Sequence, residues 1–377
     1  MKYRIIQVGK FYPPVKGGIE THLYDLCTGI KNHVSVTVLV ANETCKTVVE
    51  NIDGIKIIRA ANLMTFKSQP ICPSLPGLLM KQQADLIHLH LPNPLTMLLT
   101  SRHISNRKLV ITWHSDIIRQ KYLKKVFHAS TISILEKADR IIVPTEFHIS
   151  NSELLQDFKD KCCIIPFGTD IDRFSAIGLN PVKTIKIRNL FNNPLILFVG
   201  RLVPYKGIDI LLEAISDLDV SLIIVGKGPL KNSLFNKASE LGIQNRIWFT
   251  GDIPDSELPS YYHACNIFCL PSVGKNECFG IVQMEAMAAG KPVISTKLPT
   301  GIQTVNIDGE TGFQVIPGSV SSLKRAIRIL IENPDLAKKM GQNGLNRARN
   351  YYNRDNTAQK ILDLYNTLLG ESTDDTK

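Results

Sequence analysis

The chain has 377 residues, 44% of them hydrophobic and 21% charged, a globular balance with length for two or three domains. No apolar run approaches the ~20 residues of a membrane span, and MKYRIIQVGK lacks the apolar core and cleavage site of a secretion signal, so a cytoplasmic chain is expected. The formal charge is +10, with 22 Lys+Arg against 15 Asp+Glu in residues 1–180 and 22 against 19 beyond. A basic first half suits phosphates or an anionic surface, with a solvated basic face as the alternative. It does not suit nucleic acid, because no aromatic-interleaved basic motif or reading module is present. The eight cysteines show no C-x-x-C spacing and lie mostly in apolar runs, so they read as core residues.

In chain order the first half shows the β-rich runs YRIIQV, VSVTVLVA, IKIIR, DLIHLH, LVITW, RIIVP and CCIIPF. The second half shows LILFVG, SLIIVG, RIWFT, NIFCLP, PVIST and GFQVI. Continuous Val/Ile/Leu runs suit strands buried on both faces, and helical patterns between them imply βαβ units. The rhythm breaks across DRFSAIGLNPVKTIKIRNLFNNP. The expected α/β architecture is therefore two tandem Rossmann-like, doubly wound domains. These are an N-terminal domain over 1–171, a linker over 172–194 and a C-terminal domain over 195–352. A C-terminal helix follows over 353–370, able to pack back on the first domain, and then a polar tail over 371–377. Ligands of such sheets sit beyond the carboxyl ends of the strands.

Gly17 and Gly18 follow the first strand and open an amphipathic helix, where backbone N–H groups can approach an anion; a plain turn is the competing reading. His114 directly follows the strand LVITW, at a ligand edge, although a lone histidine is often structural. Beyond it Arg119, Lys121, Lys124 and Lys125 alternate with Ile117, Ile118, Tyr122, Val126 and Phe127, a pattern for an acidic membrane surface or for a solvated helix face. Arg201 and Lys206, at the end of LILFVG, are two cations suited to a pyrophosphate without a metal. Asp170 and Asp172 have D-x-D spacing but no further acids, so no metal site is expected.

NECFGIVQMEAMAAG carries the acids Glu277 and Glu285. The first falls in a loop above a buried strand, the second about two turns into an apolar helix. Helical side chains lean toward the N-terminus, so Glu285 points back at that loop. An ionised carboxylate there needs partners, which a ribose diol or a structural salt bridge would supply. Amides at Phe279, Gly280 and Ile281 are placed for a sugar hydroxyl or phosphate.

With these residues in view, the chain resembles the retaining GT-B-fold glycosyltransferases of family four. The Glu-x7-Glu of ECFGIVQME, GRLVPYKG, VGKGPL and DGETGF all match, in order, over nearly the whole chain. TWHSDIIRQK and LPTGIQTVN are similar to bacterial O-antigen mannosyltransferases. The resemblance implies a nucleotide diphosphate sugar donor, GDP-mannose as the best guess, and no cofactor or metal. It implies that Arg201 and Lys206 hold the diphosphate and Glu285 the ribose. Glu277, with the amides of Phe279 and Gly280, would orient the sugar. Gly18 would approach a phosphate and His114 the sugar. The acceptor, lipid-linked or an oligosaccharide, would lie in the N-terminal domain, and the enzyme would work peripherally on the anionic inner face of the membrane. A nucleotide-sugar epimerase of the same fold is the alternative.

Overall fold

A computed structural model describes residues 2–66, 69–93, 107–116, 121–176 and 180–370, without the side chains of 66 and 121–127. The chain divides into two compact units, one formed by Met1–Gly168 with Arg354–Lys377 and the other by Thr169–Asn353.

The first unit is built on an eight-stranded sheet. From edge to edge it runs Cys162–Ile164, Arg140–Val143, Lys108–Trp113, Leu86–Leu91, Arg4–Val8, Ser35–Ala41, Ile55–Ala60 and Val48–Ile52. All neighbours are parallel except the last pair, which is antiparallel. Alternate residues fill opposite faces, as the period of two requires. Ile6, Leu39, Ile58, Leu89 and Ile111 pack on one side. Ile5, Val38, Ile57, Leu86 and Val110 pack on the other, under Leu23, Leu26 and Ile30 of the helix Gly18–Ile30. The last helix, Arg354–Gly370, belongs to this unit and adds Ile361, Leu362 and Tyr365 to the same core.

The antiparallel strand Val48–Ile52 goes beyond the seven runs expected for this half. Its Val48 and Val49 are exposed, so no continuous burial marks it in the sequence. The basic stretch with Arg119, Lys121, Lys124 and Lys125 lies outside the described residues and side chains, although the backbone over Lys121–Lys137 is helical. Among the described residues no helix is long and apolar enough to cross a membrane.

The second unit carries a six-stranded, wholly parallel sheet in the order Ile247–Gly251, Ser221–Val225, Leu195–Val199, Ile267–Leu270, Val293–Thr296, Gly312–Val315. Those six strands coincide with the six expected runs. Residues 172–194, expected as a linker, contribute the helix Pro181–Arg188, which packs on Leu258–Ala264. Asn180 caps it by accepting from the Lys183 amide at 3.1 Å. Only Ile187 of its apolar residues is buried, while Val182 and Ile185 stay exposed, which hides the helical period. Asp170 accepts from the Arg173 amide at 3.0 Å, so one acid of the D-x-D pair serves as a helix cap.

Candidate active site

In the second unit the groups gather at the carboxyl ends of the strands Leu195–Val199 and Ile267–Leu270. After the first strand the backbone makes a short 3-10 turn, Pro204–Lys206, and closes at Gly207 in the left-handed region, φ 64°. A Cβ at Gly207 would stand 2.3 Å from the Pro271 carbonyl oxygen, so only glycine allows the two loops to meet. The Val273 amide then donates to the Tyr205 carbonyl at 2.8 Å.

That clasp places Lys206 against Glu277. The Lys206 Nζ lies 2.5 Å from Glu277 Oε2, and both side chains are only 9% exposed. Ser272 Oγ donates to the same oxygen at 2.8 Å, and Thr300 Oγ1 donates to the Glu277 carbonyl at 2.7 Å. The two expected cations differ in setting. Lys206 is a buried partner of Glu277, whereas Arg201 is exposed and reaches the Tyr205 hydroxyl at 3.4 Å. Among the described residues Lys206 Nζ makes this single hydrogen bond, and it retains further N–H donors. Glu277 Oε1 makes none among the described residues.

Gly280 adopts φ 73° and starts the helix Ile281–Ala288, where the Gln283 amide donates to the Gly280 carbonyl at 2.9 Å. Phe279 is buried edge-on against Tyr352, with ring centroids 5.9 Å apart. Glu285 sits on the same helix among buried Met284, Ala286 and Met287. Its Oε2 accepts from the Tyr262 hydroxyl at 2.6 Å, a partner that sequence reading missed. Burial raises the Glu285 carboxyl above its ordinary range, while the Tyr262 bond and nearby Arg173 oppose the shift. Among the described residues no ion pair forms on Glu285, and its Oε1 accepts no hydrogen bond. A buried tyrosine thus takes half of what the carboxylate needs.

In the first unit Gly17 precedes the helix Gly18–Ile30 in an extended conformation, without a side-chain cap. The Glu20 carboxylate lies beside Gly17. His114 is buried, and its backbone amide donates to Leu91 at 2.8 Å. It is not a lone histidine. Its ring packs on His22 at 5.2 Å, His90 at 5.5 Å and Phe167 at 4.8 Å. Burial holds all three imidazoles, and that of His88, well below the ordinary histidine range. Ring nitrogens of His22, His90 and His114 fall within 4.8 Å of one another. A cation entering there would have to break the 3.2 Å hydrogen bond between His90 Nδ1 and His114 Nε2.

Two parallel-sheet units, each with its polar groups beyond the strand ends, define a GT-B glycosyltransferase fold. Residues 16–173 match the family described as Glycosyltransferase Family 4, and residues 183–347 match Glycosyl transferases group 1. The chain is 32% identical to D-rhamnosyltransferase WbpZ of Pseudomonas aeruginosa over 347 residues, covering 89% of this chain and 88% of that protein. It is 29% identical to O-antigen chain mannosyltransferase C of Escherichia coli, covering 97% and 99%. Among solved structures, sucrose-phosphate synthase of Thermosynechococcus elongatus superposes with a TM-score of 0.83 at 24% identity, covering 98% of this chain and 100% of that one. Anabaena HepE in complex with UDP-glucose gives 0.79 at 21%, covering 97% and 100%. Those two likenesses speak to fold alone. The chain belongs to this glycosyltransferase family.

Proposed function

We propose that the enzyme is a retaining hexosyltransferase that moves mannose from GDP-mannose, without a metal, to a lipid-linked or oligosaccharide acceptor in O-antigen-like polysaccharide synthesis. The observation that carries the reading is a pair of open valences, Glu277 Oε1 and Glu285 Oε1, on carboxylates otherwise held by Lys206, Ser272 and Tyr262. In this reading Glu285 Oε1 takes a ribose hydroxyl and Glu277 Oε1 a sugar hydroxyl. Remaining Lys206 N–H groups and exposed Arg201 receive the negative charge of the departing diphosphate. In the first unit the same reading gives the Gly17–Gly18 amides a phosphate and His114 a sugar hydroxyl. The names of relatives add support, since they include an O-antigen chain mannosyltransferase and a GDP-mannose-dependent mannosyltransferase. A basic first half suits work at an anionic inner membrane face.

The test supplies GDP-mannose with a lipid-linked acceptor in anionic or neutral vesicles, in the presence of EDTA. Expected are GDP release that depends on acceptor, a product of the donor's anomeric configuration, and faster turnover on anionic vesicles. Loss of turnover in EDTA sinks metal independence, and an inverted product sinks retention. Sugar conversion without GDP release would restore the epimerase alternative.

The carboxylate roles separate further. Tyr262→Phe removes the bond that opposes the upward shift of Glu285, so GDP binding should weaken about 3- to 10-fold, with Glu285→Gln weakening it at least as much. Isothermal titration with GDP measures both. Unchanged affinity in both variants removes Glu285 from the nucleotide site.

A further inference from the structure

The polar groups buried under the first sheet form one hydrogen-bonded line from the C-terminal helix to His114. His88 Nε2 lies 2.7 Å from Thr112 Oγ1, and His88 Nδ1 lies 2.6 Å from the Tyr365 hydroxyl. Gln7 Nε2 donates to that hydroxyl at 2.9 Å, and Gln7 Oε1 faces His90 Nε2 at 2.9 Å. His90 Nδ1 then meets His114 Nε2 at 3.2 Å. Every one of these side chains is buried.

The line has a direction. The Gln7 carbonyl oxygen can only accept, so a neutral His90 carries its proton on Nε2 and offers a lone pair at Nδ1. His114 must therefore donate from Nε2. At the other end the Gln7 amide donates to Tyr365, whose hydroxyl donates to His88 Nδ1, and His88 Nε2 donates to Thr112. Turning the Gln7 amide over gives the other self-consistent pattern, with the His114 proton on Nδ1. His114 Nδ1 makes no hydrogen bond among the described residues. The ring nitrogen that can meet a ligand is thus the one whose proton the buried line decides.

We infer that Gln7 and Tyr365 are positioning residues that hold His114 as the Nε2–H tautomer, so that its Nδ1 accepts a hydrogen bond from a substrate hydroxyl. This rests on the reading of His114 as a sugar contact and deepens it. A residue in the first strand and one in the last helix set the hydrogen-bonding sense of a group that neither touches. Depressed basicity of the buried imidazoles keeps the line neutral through the physiological range.

The test is long-range ¹H–¹⁵N correlation of the imidazole rings in the full chain, with His114 assigned through His114→Asn. Wild type should show an unprotonated Nδ1 at His114. Gln7→Met and Tyr365→Phe should each move it partway to the protonated form and lower kcat/KM for GDP release from GDP-mannose about 3- to 10-fold. Tyr365→Phe deletes one oxygen and decides the matter alone if Gln7→Met does not fold. A protonated Nδ1 in wild type overturns the inference, as does a tautomer unmoved in both variants. Stoichiometric zinc that disappears with His22→Ala also overturns it. A shifted tautomer with unaltered turnover upholds the positioning and overturns His114 as a sugar contact.

Discussion

Acidification from pH 7.5 to pH 5.5 is expected to destabilise the first unit far more than the second. His22, His88, His90 and His114 share one buried cluster, and burial lowers each, the first two to about 3. In the unfolded chain a histidine titrates near 6.5. With the folded value depressed, stability is fully present above about pH 6.5 and is lost as pH falls toward the folded value. Each such histidine costs on the order of 1 kcal/mol at pH 5.5, so the four together remove several kcal/mol from a typical total of about 5–15 kcal/mol. The second unit has one histidine, His263, and its raised Glu285 works the other way, since protonating a buried carboxyl favours the folded form at lower pH. The two tryptophans separate the units, Trp113 buried in the first and Trp248 half-buried in the second. Urea melts of Trp248→Phe and Trp113→Phe therefore report one unit each. A first-unit midpoint that does not move between pH 7.5 and 5.5 would show that the imidazoles are not kept neutral by burial.

What could be read beforehand follows from how local each signal is. The parallel strands announce themselves because burial on both faces demands unbroken apolar runs. Val48–Ile52, half exposed at an edge, has no such demand on it. The histidine cluster was partly visible, because LIHLHL sets His88 and His90 two apart on one side of a strand. His114 nevertheless read as a single residue, since nothing local connects it to His22 in a helix or to Tyr365 near the end of the chain. The acids were legible as acids and their partners were not. Lys206 stands 71 residues from Glu277, and Tyr262 stands 23 residues from Glu285 in another helix. Only the packing of loops at the strand ends brings such pairs together, and Gly207 against Pro271 does so for the first of them.

Removing Lys206 should therefore damage the protein in two separable ways. Lys206→Met leaves Glu277 buried without its counter-charge, a change that costs about 3–5 kcal/mol in comparable buried pairs. It also removes a cation from the place where the departing diphosphate gathers charge, which should lower kcat about 100- to 1,000-fold. Glu277→Gln leaves the ammonium unpaired and should destabilise by a similar amount, with Ser272 and Thr300 still able to hold the amide in place. If the pair is a structural tie alone, combining Lys206→Met with Glu277→Gln restores both stability and turnover, because no buried charge remains. If its open valences serve the donor, the double variant regains most of the stability and none of the rate. The double-mutant cycle, read by urea melts and by GDP release from GDP-mannose, distinguishes the two. The expected result is a strongly coupled cycle for stability, with no recovery of kcat. Recovery of both quantities would move Lys206 and Glu277 out of the catalytic site and into the scaffold that the Gly207 clasp maintains.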